Sequence, residues 1–185
     1  VRTARRPMVP GWWCARVEWR AALVIGGWPV CAMGSDLWSR TSEVRYARID
    51  EAHVAYWVVT GDGTGTHDVV LLSSGTASME AGFEDPVGVR LMEGLAGLGR
   101  LVVFDRRGIG LSDPPVDWDA PDAKRVADDL GAVAGAAQVL RPVLVSSRQS
   151  WAAAVVYCDH HPHDVDAMVT FEPTVGVDRD VVHAQ

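Results

Sequence analysis

The sequence is poor in cysteine, nearly without lysine and free of long apolar runs, and each shortage narrows what the chain can be. Its three cysteines, Cys14, Cys31 and Cys158, are widely spaced, with no C-x-x-C pair. An odd number at such spacing supports neither a disulfide framework nor a zinc site. The expectation is reduced thiols, no metal and no cofactor. Lys124 is the sole lysine among 17 basic residues, which face 24 carboxylates. A net charge of −7 lacks the basic surface that a nucleic-acid partner requires. No apolar run approaches the ~18 residues that cross a bilayer. Ala21–Gly27 follows a basic stretch, but it is short, Glu18 interrupts that stretch, and no A-x-A site comes after it. The expected location is therefore cytoplasmic.

What is present fits one globular domain with a substantial core: 185 residues, 48% hydrophobic and 22% charged. The charge is uneven. In residues 1–40, six arginines oppose Glu18 and Asp36, a net of +4, which leaves −11 on the remainder. The same stretch holds Trp12, Trp13, Trp19, Trp28 and Trp38, five of the eight tryptophans. It shows no sustained period of 2 or 3.6, so residues 1–42 read as a disordered or poorly specified, basic, Trp-rich extension. The folded domain is expected over 43–175, with a frayed tail at 176–185.

From residue 44 the pattern changes. Val44–Ile49 alternates and His53–Thr60 is rich in β-branched and aromatic residues, so the two read as a hairpin closed by Asp50-Glu51-Ala52. Gly61–Thr66 is a turn-rich break. Asp68–Leu72 and Leu101–Phe104 are continuous apolar runs, as strands buried on both faces require. Between them Pro86 opens a helix with Val87, Leu91, Leu95 and Leu98 as its expected apolar stripe, and Gly99 suits its end. Asp122–Leu140 holds a helix with Val126, Leu130, Val133 and Ala137 on one face. A strand begins at Val143–Val145. Trp151–Cys158 is a helix apolar nearly all round, hence expected buried, and Ala167–Phe171 is a last strand. Strands alternating with helices need crossover connections. The expected fold is therefore α/β, a mostly parallel sheet with helices on both faces.

The segment Phe104–Pro114, FDRRGIGLSDP, follows a buried strand and precedes a long helix. Gly108 and Gly110 permit a tight path past the strand end, and Asp105 and Arg107 can pin the loop through charge-assisted hydrogen bonds. The segment, with Ser112 and Asp113 included, resembles the D-x-R-G-x-G-x-S loop after the fourth strand of α/β-hydrolases. RYARIDEAHVAYWVV resembles the family's opening hairpin. Glu84–Pro86, Asp128-Asp129 and HPHDVDAMV resemble actinobacterial members, some of which are joined to nucleotide-cyclase domains. The resemblance covers about residues 43–173 and implies an α/β-hydrolase-like fold, here lacking the last strands.

The resemblance implies a G-x-S-x-G turn after the strand at Val143, where glycines let a strained turn expose a serine near oxyanion-holding amides. The chain has SSRQS, Ser146–Ser150. Both glycine positions are serine and the nucleophile position is Arg148, whose guanidinium has no lone pair for attack. A one-residue slip offers Ser147, flanked by Val145 and Gln149. Gly75 and Thr76, after the strand Asp68–Leu72, are the oxyanion-loop candidates. The family's acid and histidine should follow the nucleophile past further strands; His183, near the terminus, has no strand to deliver it to the turn and reads as part of the frayed end. His160, His161 and His163 straddle Pro162 in a solvated turn with Asp159 and Asp164, an arrangement that does not read as metal ligands.

Three readings result, so enzyme activity stays open. The favoured one is a hydrolase-like pseudoenzyme, truncated and without serine-hydrolase activity. The second is an active serine hydrolase of small esters or amides that uses Ser147. The third is an anion-binding or protein-interaction module, in which Arg148 at a helix N-terminus receives a carboxylate or phosphate. The last strand would lie at an exposed edge, which favours a homodimer.

Overall fold

The apolar runs of the sequence form the interior of one six-stranded sheet. The computed structural model describes residues 36–61, 63–73, 77–119 and 122–173, which belong to a single unit over Cys31–Gln185. In chain order these are α1 (Asp36–Arg40), β1 (Arg45–Ile49), β2 (Ala52–Val59), β3 (His67–Leu72), α2 (Met79–Glu84), α3 (Pro86–Ala96), β4 (Gly99–Phe104), α4 (Asp122–Ala136), β5 (Val143–Ser147), α5 (Ser150–His160) and β6 (Ala167–Phe171). The strand order is β1-β2-β4-β3-β5-β6. β1 and β2 pair antiparallel, as do β2 and β4, while β3, β4, β5 and β6 run parallel. The sheet is thus mostly parallel and helix-covered, as the sequence indicates.

The two-residue period of the strands divides the core into two layers. Val70, Leu72, Val102, Phe104 and Leu144 face α4 and α5, where Val126, Leu130, Val133, Ala137, Ala153 and Ala154 meet them. Val69, Leu71, Leu101, Val103 and Val145 face the opposite way, toward Met79, Phe83, Val89, Met92 and Leu95 of α2 and α3. The stripe expected on α4 is the buried one. At the end of the sheet opposite the site, Arg100 grips Asp68 with Nε and Nη2, both at 2.8 Å. That hydrogen-bonded pair holds the Asp68 carboxyl below its ordinary pKa.

Four expectations change. The extension expected through residue 42 is ordered from Asp36: α1 buries Leu37, and Thr41 bridges Val59. Residues 1–35 lie outside the described residues, with Cys14 and Cys31 among them, as does the tail from residue 174, including His183. On α3 the buried stripe is Val89, Met92, Leu95 and Ala96, whereas Val87 and Leu91 are exposed. The helix carries apolar side chains on more than one face, and contact with α2 and β4 selects which of them are buried. α3 stops at Ala96 with Gly97 as its cap, and Gly99 opens β4 instead. α5 is buried along one side only, through Ser150, Ala153, Ala154 and Tyr157, and Val155 is exposed. Its apolar circumference exceeds the surface that α4 and the sheet offer it.

Candidate functional site

The C-terminal ends of the parallel strands carry the two segments singled out above. In the first, the chain leaves β4 at Asp105, a carboxylate only 1% exposed. Its Oδ1 accepts from Met79 N at 2.7 Å, the first residue of α2, and its Oδ2 from Leu111 N at 3.0 Å. One side chain thus ties the strand end, the loop and a helix N-terminus, where the helix dipole favours a negative charge. Burial nevertheless pushes this carboxyl above its ordinary pKa, against those two amides. Gly110, at φ +54°, comes so close that an added Cβ would sit 2.0 Å from Asp105 Oδ2. No other residue type fits there without displacing the carboxylate.

Ser112 and Asp113 prolong the β2–β4 pairing past the strand. Ser112 Oγ donates to Asp105 O at 2.6 Å and accepts from Ala55 N at 2.8 Å. Asp113 accepts from His53 N at 2.9 Å, and its own amide donates to His53 O at 2.9 Å. Asp113 Oδ2 also lies 3.0 Å from His53 Nδ1 on the exposed surface. Arg107 turns away from Asp105. Its Nε reaches Asp129 Oδ1 at 2.5 Å and its amide Asp129 Oδ2 at 3.0 Å. Asp129, on α4, is fully buried and Arg107 nearly so. Burial raises the Asp129 carboxyl, and the amide and charge of Arg107 oppose that shift.

The second segment is the turn from β5 to α5. β5 runs to Ser147, Arg148 adopts φ +49°, and α5 starts at Ser150. An arginine in the left-handed region costs about 1–2 kcal/mol, which the surrounding bonds must offset. Ser150 Oγ, 7% exposed, accepts from Ser147 N at 3.0 Å and lies 2.7 Å from Ser147 O and 3.0 Å from Leu72 O. Ser146 is fully buried and shares a hydrogen bond with Thr170 Oγ1 at 2.7 Å, across to β6. The two serines at the glycine positions of the resembling motif are therefore built into the turn. The Arg148 amide donates to Phe171 O at 3.3 Å, and its guanidinium, largely exposed, pairs with Glu172 at 3.3 Å.

Ser147 is 8% exposed. Among the described residues no histidine hydrogen-bonds to Ser147 or Arg148. His53 bonds to Asp113, while His160, His161 and His163 lie at or beyond the far end of α5. Gly75 and Thr76 lie outside the described residues. A crevice lined by Ser73, Arg106, Asp122, Gln149 and Ser150 borders the turn, with a volume of about 10 Å³. That is room for one water, against the ~300–1,000 Å³ of typical ligand sites. Among the described residues, no group of three His, Cys, Asp or Glu side chains converges as metal ligands, and no helix is long and apolar enough to cross a membrane.

This arrangement defines the α/β-hydrolase fold, and solved structures share it. A probable hydrolytic enzyme from Pseudomonas aeruginosa PAO1 aligns over 77% of this chain and 45% of its own, with TM-score 0.63 and 18% identity. Cfl2 from Burkholderia cenocepacia aligns over 74% and 46%, with TM-score 0.58 and 21% identity. The haloalkane dehalogenase DbeA from Bradyrhizobium elkani USDA94 aligns over 72% and 42%, with TM-score 0.56 and 21% identity. The chain thus spans less than half the length of each of these three proteins. No family model and no curated protein matches the chain.

Proposed function

We propose that this chain is a non-hydrolytic member of the α/β-hydrolase fold. The observation that carries the reading is Arg148 at φ +49°, between the end of β5 and the start of α5. The resembling enzymes present their serine at that turn. A guanidinium stays protonated and offers no lone pair. Ser147, the slipped alternative, lies in the strand with its amide bonded to Ser150 Oγ, and among the described residues no histidine hydrogen-bonds to it. Kinship with actinobacterial hydrolases rests on the EDP and HPHDVDAMV motifs. In the folded chain, a fluorophosphonate probe is expected to leave Ser147 unlabelled, as read by mass spectrometry of the peptide that contains it.

A second reading has one observation in its favour. Arg148 sits where α5 begins, and Gln149 there provides no side-chain cap. A carboxylate, Glu172, already occupies the guanidinium. An anionic ligand would replace it. Glu172→Gln is then expected to show phosphate-dependent thermal stabilisation that the added change Arg148→Ala removes. A melting curve insensitive to phosphate in Glu172→Gln would end this reading.

A homodimer through β6 accompanies either reading. β6 pairs with β5 on one side, and Met168, Val169 and Phe171 are each more than a third exposed. An apolar strand edge of this kind invites a second strand. Size-exclusion chromatography is expected to show a dimer that Val169→Lys converts to a monomer. A wild-type monomer at high concentration would contradict it.

A further inference from the structure

The open edge of β6 has a pattern of its own. Among the described residues β6 pairs with β5 alone, at the end of the sheet. Consecutive residues of a strand send their N–H and C=O groups to opposite sides. Phe171 O accepts from Arg148 N, so Phe171, and with it Val169 and Ala167 at the two-residue period, bonds toward β5. Met168 and Thr170 therefore direct their amides and carbonyls out of the edge.

The side chains follow the same period. Val169 lies beside Val145, which packs in the α2–α3 layer, so Ala167, Val169 and Phe171 share that face. Val169 is 37% and Phe171 42% exposed. Met168, beside Leu144, shares the α4–α5 face with Thr170. At either end of the strand stands a carboxylate with an arginine. Asp166 pairs with Arg141 at 2.8 Å and Glu172 with Arg148 at 3.3 Å.

A second copy fits this edge in one register. Two copies related by a two-fold axis pair the same edge with itself, hence antiparallel. Outward-pointing residues must meet outward-pointing ones, which places the axis at Met168, Val169 or Thr170. At Met168 it would oppose Thr170 to Asp166, whose amide already donates to Pro142 O at 3.1 Å. At Thr170 it would oppose Met168 to Glu172, which has left the strand with φ +49°. The axis at Val169 sets Met168 opposite Thr170 on both sides of the seam, and each pair exchanges both its N–H···O=C bonds. Val169 then meets its own copy and Ala167 meets Phe171, apolar against apolar. Asp166 and Glu172 of different copies come opposite each other. Alone they would repel, but each brings its arginine, so the end of the seam is neutral.

We propose that two copies of this chain join β6 to β6, antiparallel about a two-fold axis at Val169, and that the partner's Asp166 thereby meets Glu172 and completes the charged site at Arg148. This pairing rests on the dimer read from the exposed edge above, and adds its register and its contribution to the turn.

Cysteine cross-linking of the full chain tests it, with Cys14, Cys31 and Cys158 replaced by serine and each variant checked by melting curve and size-exclusion chromatography. Val169→Cys is expected to give a disulfide-linked dimer under mild oxidation, because a non-hydrogen-bonded antiparallel pair holds its Cα atoms about 4.5 Å apart, within disulfide reach. Ala167→Cys and Phe171→Cys should each stay unlinked alone, since like residues would lie about 13 Å apart along the seam, and should link when mixed. Asp166→Lys should tighten the dimer at least threefold at low salt, because it faces the partner's Glu172 with opposite charge. A dimer that Val169→Cys does not link, or that Phe171→Cys links to itself, would overturn the register and leave the dimer standing. Unchanged affinity in Asp166→Lys would remove Asp166 from beside Glu172 and overturn it likewise. A folded chain that stays monomeric would overturn both the register and the dimer.

Discussion

Asp129→Ala is expected to destabilise the fold by about 3–5 kcal/mol, because it leaves the Arg107 guanidinium buried without its partner. Arg107 is 10% and Asp129 0% exposed, and the carboxylate accepts from both the Nε and the amide of Arg107. A domain of this size has about 5–15 kcal/mol in total, so the variant would retain little margin. The pair need not be a net source of stability. Burial raises the Asp129 carboxyl despite the arginine beside it, which marks the cost of desolvating the charge. The double variant Arg107→Met/Asp129→Leu is therefore expected to be more stable than Asp129→Ala alone. Urea unfolding measures both. A loss under 1 kcal/mol for Asp129→Ala would mean that water or another group takes over the guanidinium.

Gly110→Ala should cost about as much, by a different route. The residue lies at φ +54°, and its new Cβ would fall 2.0 Å from Asp105 Oδ2 and 2.9 Å from Ser78 Cβ. Asp105 cannot retreat while it holds the Met79 and Leu111 amides. Each buried amide left unpaired costs about 1–3 kcal/mol, and the left-handed backbone adds about 1 kcal/mol more. Gly108→Ala is the comparison. It shares a positive φ, +85°, but its nearest neighbour is the ring of Trp118, which is 65% exposed and free to shift. A loss of about 1 kcal/mol is expected there. Equal thermal shifts for the two variants would show that backbone strain dominates and that the carboxylate contact does not matter.

Much of the fold is legible in the sequence because its signals are local. The continuous apolar runs at Asp68–Leu72 and Leu101–Phe104 read as strands buried on both faces, and Pro86 marks a helix start. FDRRGIGLSDP places the loop after β4. What escapes is set by distant partners. α2 is six residues with a glycine inside, too short for a period, and its start is fixed by Asp105, 26 residues away. The Arg107–Asp129 pair spans 22 residues, and no local pattern names the partner. Leu37 reads as part of an irregular arginine- and tryptophan-rich stretch until β2 brings Val59 beside Thr41. At the β5–α5 turn the sequence shows what is missing: two glycines and a serine. It does not show that Ser146 and Ser150 carry hydrogen bonds to β6 and β3, nor that Glu172 faces Arg148.

The non-hydrolytic reading depends on that turn, and ester hydrolysis tests it most directly. The full folded chain and its Ser147→Ala variant would be assayed side by side on p-nitrophenyl acetate and butyrate. Both proteins are expected to hydrolyse neither ester above the rate of buffer alone. Saturable hydrolysis by the wild type that Ser147→Ala abolishes would contradict the account and make Ser147 the nucleophile.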